Sequence, residues 1–488
     1  MNFTKPENVG ISSENVRLFY KELEKYNLST HSVSMARGNS IFSECYYAPF
    51  NKDFLHRMYS VSKSFVSIAI GFCEQDGLLS LDDPMMKFFP EYVNKEGYYE
   101  HLSTVRDLLT MESSIVGVNW FYSGCSDRVD TYFKTAPSKT PGTLFDYDSS
   151  GSYMLGVIVE RVTGKLFLDY LKEKVLDDIG FSKNSYCIMA PGKNSFGDSG
   201  VMCTTHDLLL FARFVLNGGT WNGKRYLNEK YIRNATTCNI CNNDFGFYHH
   251  GTFGYGYKFW GGPEGTFCML GMGTQIALCD PRHDFVFAIN SDNQGNPIHY
   301  ELVYKALFDN IISKLSDTPL PEDSEAYDRL SADMSEKALY FLNGNTESDF
   351  SEKINGAKFS LSQNRMGIKW IKLDFDNDKG YLHYENAQGV KCIPFGFGYN
   401  IFEKFPEENY PDLIATIKKP GNKYDAAFSA DWPEEKKLRI RVQVIDKYFG
   451  NLAVVISFKD ENSLMLRMGK IAEAFLDEYF GTAFGTRA

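Results

Sequence analysis

The chain has no apolar run near the about eighteen residues that a membrane-crossing helix needs. Its amino terminus, MNFTKPENVGISSEN, lacks the apolar core of a secretory signal, so a cytoplasmic location is expected. Positive charge is in deficit: 51 Lys and Arg stand against 62 Asp and Glu, a net charge of −11. Nucleic acids and anionic membranes need a positive surface, so neither is expected as a partner. Paired cysteines are also missing. The ten Cys are scattered, and 488 residues can bury a core without a disulfide framework, so free thiols are expected. Cys238-Asn-Ile-Cys241 has no second pair, and His249-His250 has no third ligand at helical spacing. No metal and no cofactor is expected. There is no internal repeat and no low-complexity segment.

What the chain does have is aromatic bulk, 39 Phe and 30 Tyr, which suits a large core or a ring-lined cleft. The first part reads as mixed α/β. A helix is expected over 12–27, capped by Ser12 or Ser13. Two strands follow, HSVSMAR and SIFSECYYA, joined at Gly38-Asn39. In 60–75, Phe65, Ile68, Ala69, Phe72 and Cys73 fall on one helical face, and Gly77 is a stop. Residues 152–163 are apolar nearly all round, the mark of a buried helix. In 206–217, Leu208, Phe211, Ala212, Val215 and Leu216 repeat the helical spacing. Strands return in 266–290 around a Pro281 turn, and a helix over 298–315 closes the part.

Residues 316–330, SDTPLPEDSEAYDRL, hold two prolines and many acids and read as a linker. Beyond it the period becomes two. Leu438, Ile440, Val442 and Val444 alternate with Arg439, Arg441 and Gln443, and similar alternation occurs in 368–375 and 463–468. That is antiparallel sheet with one wet face. A short helix over 470–480 is expected at the end. The expected domains are therefore 1–318 and 330–488, the second a small β-barrel or sandwich. It shows no motif of chemistry. Trp432 reads as a core anchor. Covering a cleft, shaping specificity and self-association as a homo-oligomer are the roles open to this domain.

Three segments can carry chemistry. In Tyr59-Ser60-Val61-Ser62-Lys63, Ser60 stands at the mouth of a helix with Lys63 one turn on, on the same face. A hydroxyl becomes a nucleophile when a neighbouring base takes its proton, and a buried amine can be that base. The helix start also offers a backbone N–H to a developing oxyanion. The bland alternative is a capping Ser and a surface Lys, but the apolar FVSIAIGF that follows argues that Lys63 starts a buried helix. In Phe145-Asp146-Tyr147-Asp148-Ser149-Ser150-Gly151, a Tyr precedes the second buried helix and can point its phenol into a cleft. With 30 Tyr in the chain, ordinary packing competes unless Ser60 and Lys63 lie nearby. In Met269-Leu270-Gly271-Met272-Gly273-Thr274-Gln275, glycines allow close backbone approach at a strand end, or simply form a bulge.

Taken in this order, these elements resemble the serine β-lactamase and penicillin-binding-protein superfamily, and within it the class C β-lactamase-like serine hydrolases, over about residues 8–310. YSVSKSF looks like the family's Ser-x-x-Lys element, and GLLSLDDPMMKFFPEY like the segment that follows it. TVRDLLTMESS resembles the next helix, and FDYDSSGSYMLGVIVERVTG the Tyr-x-Asn element with its helix. SGVMCTTHDLLLFARFVLNGG and GYGYKFW also match in character. The resemblance implies an α/β (α+β) fold: a β-lactamase-like antiparallel sheet flanked by helices, with an all-helical subdomain. It implies that Ser60 is acylated, that Lys63 and Tyr147 share the acid–base work, and that Ser60 N–H and a strand N–H hold the oxyanion. Two departures stand out. Ser149 replaces the usual Asn. The usual Lys-Thr-Gly or His-x-Gly element is Met269-Leu270-Gly271, which puts Met272 N–H in the oxyanion hole, or Thr274 or Gln275 in a shifted register.

The missing cation weakens a β-lactam or peptidoglycan reading, and GMGTQIALCDP resembles the esterase- and nylon-oligomer-hydrolase-like branch. The leading expectation is a serine hydrolase that cleaves a small-molecule ester or amide through an acyl-Ser60 intermediate. A β-lactamase or D-aminoacyl peptidase is the runner-up, and a non-catalytic binding protein on the same scaffold is the alternative of another class. Trp120-Phe121-Tyr122, Tyr257 and Trp260 can line a substrate pocket or simply pack. His206, beside Thr204 and Thr205, reads as part of a helix start.

Overall fold

A computed structural model describes residues 1–116, 125–242, 253–473 and 475–488. The described chain forms two compact units, Met1–Ala338 with Leu413–Ala415, and Leu339–Asp412 with Thr416–Ala488.

The first unit is built on a seven-stranded sheet. Its order is Asn2–Phe3, Ser40–Tyr46, Thr30–Arg37, Phe285–Ser291, Gln275–Asp280, Phe267–Gly271, Trp260–Gly261. All neighbours are antiparallel except the first pair. The central strands are buried on both faces, which explains their nearly continuous apolar sequences. Helices Ser13–Lys25 and His299–Asn310 pack together, and helix Thr205–Leu216 lies on the central strands. Ser12 caps the first helix by accepting from Asn15 N, as its sequence predicts. Thr204 and Asp207 form a reciprocal cap on the Thr205–Leu216 helix.

Beside the sheet, the central helix Ser62–Gln75 is buried from Ser62 to Cys73. It packs against Ser149–Thr163 and Phe167–Leu171. Phe65 lies flat on Phe211, with ring centroids 3.8 Å apart, and meets the edge of Phe181. No helix among the described residues is long and apolar enough to cross a membrane.

The second unit is a β-barrel. Nine strands run in the order Gly389–Phe397, Lys379–Asn386, Trp370–Asp376, Lys358–Leu361, Gly481–Arg487, Ser463–Ala472, Phe449–Asp460, Lys437–Ile445, Asp425–Glu434. A short parallel pairing, Gly396 with Ser429 and Phe397 with Ala430, closes the circle. Ile401–Lys404 adds a further strand to Asp425–Glu434. Leu438, Ile440, Val442 and Val444 are buried, as the alternation requires. Trp432 is buried too.

Two expectations need correction. A helix, Ser324–Ser335, starts inside the stretch read as a linker and runs past its end. Asp323 caps it through Ala326 N, Ala326 and Leu330 are buried, and Arg17 pairs with Asp333 at 3.3 Å. Two of the acids that suit a linker, Asp323 and Glu325, are the cap and first turn of this helix, where the helix dipole favours them. Among the described residues, no helix longer than one 3-10 turn forms over 470–480, where a helix is expected. Strand Ser463–Ala472 leads through a short turn, Asp477–Tyr479, into strand Gly481–Arg487. Phe475, Leu476 and Tyr479 are apolar because they fill the barrel, not because they form a helix face.

Phe65→Ala is expected to destabilise the first unit by about 3–5 kcal/mol, the usual result of emptying a large buried ring site. Urea unfolding of the full chain, followed by tryptophan fluorescence, measures it.

Candidate active site

Ser60 is placed from three sides. The short strand His56–Arg57 pairs with Val201–Cys203, and Met58 N–H donates to Val201 O at 2.8 Å. Tyr59 then takes a left-handed conformation, φ 46°, and the chain enters the turn Tyr59–Val61 that opens the central helix. Ser62 Oγ accepts from Val201 N–H at 3.0 Å, which ties the helix start to the same strand. Gly271 closes the third side. A Cβ there would sit 2.4 Å from Met58 O, so only glycine lets the strand end come this close.

Lys63 is buried at 2% exposure. Its Nζ donates to Ser60 Oγ at 3.0 Å and to Asp198 O at 2.8 Å. The Tyr147 hydroxyl hydrogen-bonds Ser60, and Lys63 Nζ lies 5.2 Å from the Tyr147 ring centre. Burial pushes the Tyr147 phenol well above its ordinary value, and the Ser60 contact offsets part of that. The Tyr147 ring stacks on Trp260 at 5.3 Å. Asp148 fixes the loop, since its carboxylate caps the next helix through Ser150 N at 2.7 Å and Gly151 N at 2.8 Å and also accepts from Ser113 Oγ at 2.9 Å. Three residues separated in sequence thus meet: Ser60, Lys63 and Tyr147.

The other expected site residues are placed as follows. Ser149 is the first residue of helix Ser149–Thr163 and is partly exposed. Met272 sits at the tip of the hairpin joining Phe267–Gly271 to Gln275–Asp280. It is the only partly exposed residue between Gly271 and Gln275. Thr274 and Gln275 are buried, and their side chains are engaged inside the protein. The Tyr257 hydroxyl accepts from Arg106 at 2.8 Å, and its ring meets Tyr231. Trp120, Phe121 and Tyr122 lie outside the described residues, as do His249 and His250. His206 pairs with Glu44 at 2.8 Å, and Glu44 raises its pKa. No group of His, Cys, Asp and Glu among the described residues could hold a metal ion.

A sequence model of the Beta-lactamase family matches residues 16–306. The 6-aminohexanoate-dimer hydrolase of Paenarthrobacter ureafaciens is 26% identical over 281 residues, 53% of this chain and 71% of that protein. A beta-lactamase of Yersinia enterocolitica is 24% identical over 143 residues, 27% of this chain and 34% of that protein. Among solved structures, a penicillin-binding-protein homologue from Caulobacter crescentus is similar with a TM-score of 0.51. Its sequence identity is 16%, and the match covers 62% of this chain and 99% of that one. At that identity the likeness shows the fold alone.

The buried charges around Ser60 are what sequence reading missed. Asp198 is buried with Arg128, 3.9 Å away. Burial raises the Asp198 pKa, while Lys63 and Arg128 hold it down. Arg57 Nε donates to Ser199 O at 3.0 Å, and its guanidinium lies over the Tyr59 ring. Asp198 could not be picked out, because what Lys63 uses is its backbone carbonyl, which any residue supplies. Lys258 was visible only as one letter of GYGYKFW. It is 2% exposed, with φ 64° and its carbonyl held by Ser64 Oγ at 2.7 Å. Its Nζ reaches the Met111 thioether at 3.0 Å, a weak acceptor. Burial drives its pKa well below 10.5, and nearby Lys63 pushes the same way. The unfolded chain therefore binds a proton that the folded chain releases, which costs stability at neutral pH. Lys258→Met is expected to stabilise the protein by about 1–3 kcal/mol at pH 7. The gain should shrink as pH approaches 10.5, where the unfolded lysine also loses its proton. Urea unfolding of both proteins from pH 7 to 10 checks this, and a gap that does not change with pH contradicts a neutral Lys258.

Proposed function

Since this chain belongs to the beta-lactamase family of serine hydrolases, we propose that it cleaves a small-molecule ester or amide through an acyl-Ser60 intermediate. The observation that carries this reading is the 3.0 Å hydrogen bond between the buried Lys63 Nζ and the half-buried Ser60 Oγ, beside the Tyr147 hydroxyl. Lys63 in its neutral form accepts the Ser60 proton as Oγ attacks the substrate carbonyl. The tetrahedral oxyanion is received by the N–H groups of Ser60 and Met272, each worth about 3 kcal/mol in the transition state. Tyr147, whose raised pKa keeps it protonated at neutral pH, gives its proton to the leaving alcohol or amine and is reprotonated from Lys63. Water then attacks the acyl group, its proton goes to the same pair, and the acid leaves with Ser60 restored.

The substrate preference follows from what lines the strand end. Met269-Leu270-Gly271 brings no cation to the position where the resemblance leads one to expect Lys or His, so a β-lactam carboxylate lacks that anchor. The Paenarthrobacter ureafaciens relative is named for hydrolysing a 6-aminohexanoate dimer, and a linear amide or ester is the class proposed here.

Intact-mass analysis after treatment with a fluorophosphonate is the test. One adduct is expected on the wild type and none on Ser60→Ala. Tyr147→Phe is expected to lower kcat on an activated ester by about 10²–10³-fold, the usual weight of a proton-transfer group. Faster turnover of simple acyl esters and amides than of penicillins supports the proposed class, and the reverse order favours the β-lactamase or D-aminoacyl peptidase reading. A folded wild type without an adduct sinks the Ser60 mechanism and leaves a binding protein.

A further inference from the structure

The Met272 hairpin is gripped through its carbonyls. Tyr300 Oη donates to Gly271 O at 2.6 Å. Gln275 Nε2 donates to Met272 O at 3.0 Å and to Ser291 O at 2.6 Å. Asn293 N–H donates to Gly273 O at 3.1 Å. Thr274 Oγ1 is bonded to His299 and accepts from Asn293 Nδ2 at 3.1 Å. The start of helix His299–Asn310 therefore holds the hairpin at two adjacent points, Tyr300 on Gly271 and His299 on Thr274.

The Tyr300 contact differs in kind from the others. Gly271 C=O and Met272 N–H are the two ends of one peptide group. That group is planar, so fixing its oxygen fixes the direction of its N–H. A hydrogen bond accepted by the carbonyl also draws electron density from the nitrogen and makes the N–H a stronger donor. Tyr300 is largely buried, and a second chain of bonds reaches the same hairpin through Gln275. Asn290 Nδ2 donates to Gln275 Oε1 at 2.8 Å, and Thr205 Oγ1 donates to Asn290 Oδ1 at 2.6 Å. Thr205 must then accept from Ser32, and Ser32 from His56 Nε2 at 3.2 Å. All these bonds run in one direction, from the strand that leads into Ser60 to the hairpin that carries Met272. Burial holds His56 neutral, with its pKa down at about 3.

We propose that Tyr300 is a positioning residue for the hydrolytic reaction: by donating to Gly271 O it aims and strengthens the Met272 N–H that receives the oxyanion. This rests on the acyl-Ser60 reading above. Tyr300 touches no reacting atom. Its effect appears only when negative charge develops on the substrate oxygen, so it acts on kcat and on the rate of Ser60 phosphonylation, not on substrate affinity.

The test compares wild type, Tyr300→Phe, and full-length protein carrying 3-fluorotyrosine at position 300, a stronger donor of nearly the same shape. Tyr300→Phe should lower kcat on an activated ester and the fluorophosphonate reaction rate together, by about 5–30-fold, with KM changed by less than about threefold. The fluorotyrosine protein should exceed the wild type in both rates. If the contact only stabilises the fold, Tyr300→Phe lowers Tm and fluorination leaves these rates unmoved. Equal rates in all three proteins, with Ser60 labelled, overturn the inference and leave the Ser60 reading intact. An unlabelled wild type overturns both. If Tyr300→Phe does not fold, the fluorotyrosine comparison decides alone, and rates at or below wild type then refute the proposal.

Discussion

A long, flexible amine has to be held still for the candidate site to exist. Lys63 Nζ is fixed 3.0 Å from Ser60 Oγ by a second bond, 2.8 Å, to the carbonyl of Asp198. A free lysine side chain spreads over many rotamers, and ordering it costs up to about 2 kcal/mol. Burial in the first turn of an apolar helix supplies that order. The strand Val201–Cys203 beside it, anchored to Met58 and Ser62, keeps the Asp198 carbonyl in reach. The sheet, the helix Thr205–Leu216 and the left-handed Tyr59 all serve this placement.

The same burial makes the site electrostatically expensive. Lys63, Arg57, Arg128 and Lys258 stand with Asp148 and Asp198 in the interior. Asp148 is committed to a helix start, so its charge is met by backbone N–H groups rather than by a cation. Asp198 is left beside Lys63 and Arg128. Lys258 and Met111, whose side chains touch, both have left-handed backbones, φ 64° and 63°. Such conformations are costly for residues with side chains and tend to gather where surroundings impose them. The region around Ser60 is thus stiff and locally strained, and the buried sheet of the same unit supplies the stability that tolerates it.

Much of this was legible from spacing. The i, i+3, i+4 apolar pattern located the central helix, and the i, i+3 relation of Ser60 and Lys63 put both on one face of it. Alternation in LRIRVQVID announced the barrel strands. The failures have a common cause. Ser324–Ser335 was hidden by acids that suit a linker as well as a helix start, and only burial of Ala326 and Leu330 separates the two. The end of the barrel looked helical because Phe475, Leu476 and Tyr479 are apolar, and periodicity does not say what apolar residues face. Met272 could be assigned as the hairpin tip only once Gly271 was seen to pair with Gln275.

By itself the sequence determined the local elements, the pairing of a serine with a lysine one helical turn away, and membership of a family through the order of short motifs. These are properties of neighbouring residues, and period and spacing record them directly. The tertiary structure decided that Tyr147 reaches Ser60, that a backbone carbonyl of Asp198 holds Lys63, that Lys258 is buried, and that Tyr300 stands behind the Met272 peptide. Those contacts join residues tens to hundreds of positions apart. Several of them run through backbone groups, whose chemistry is the same in every residue and leaves no mark in the sequence.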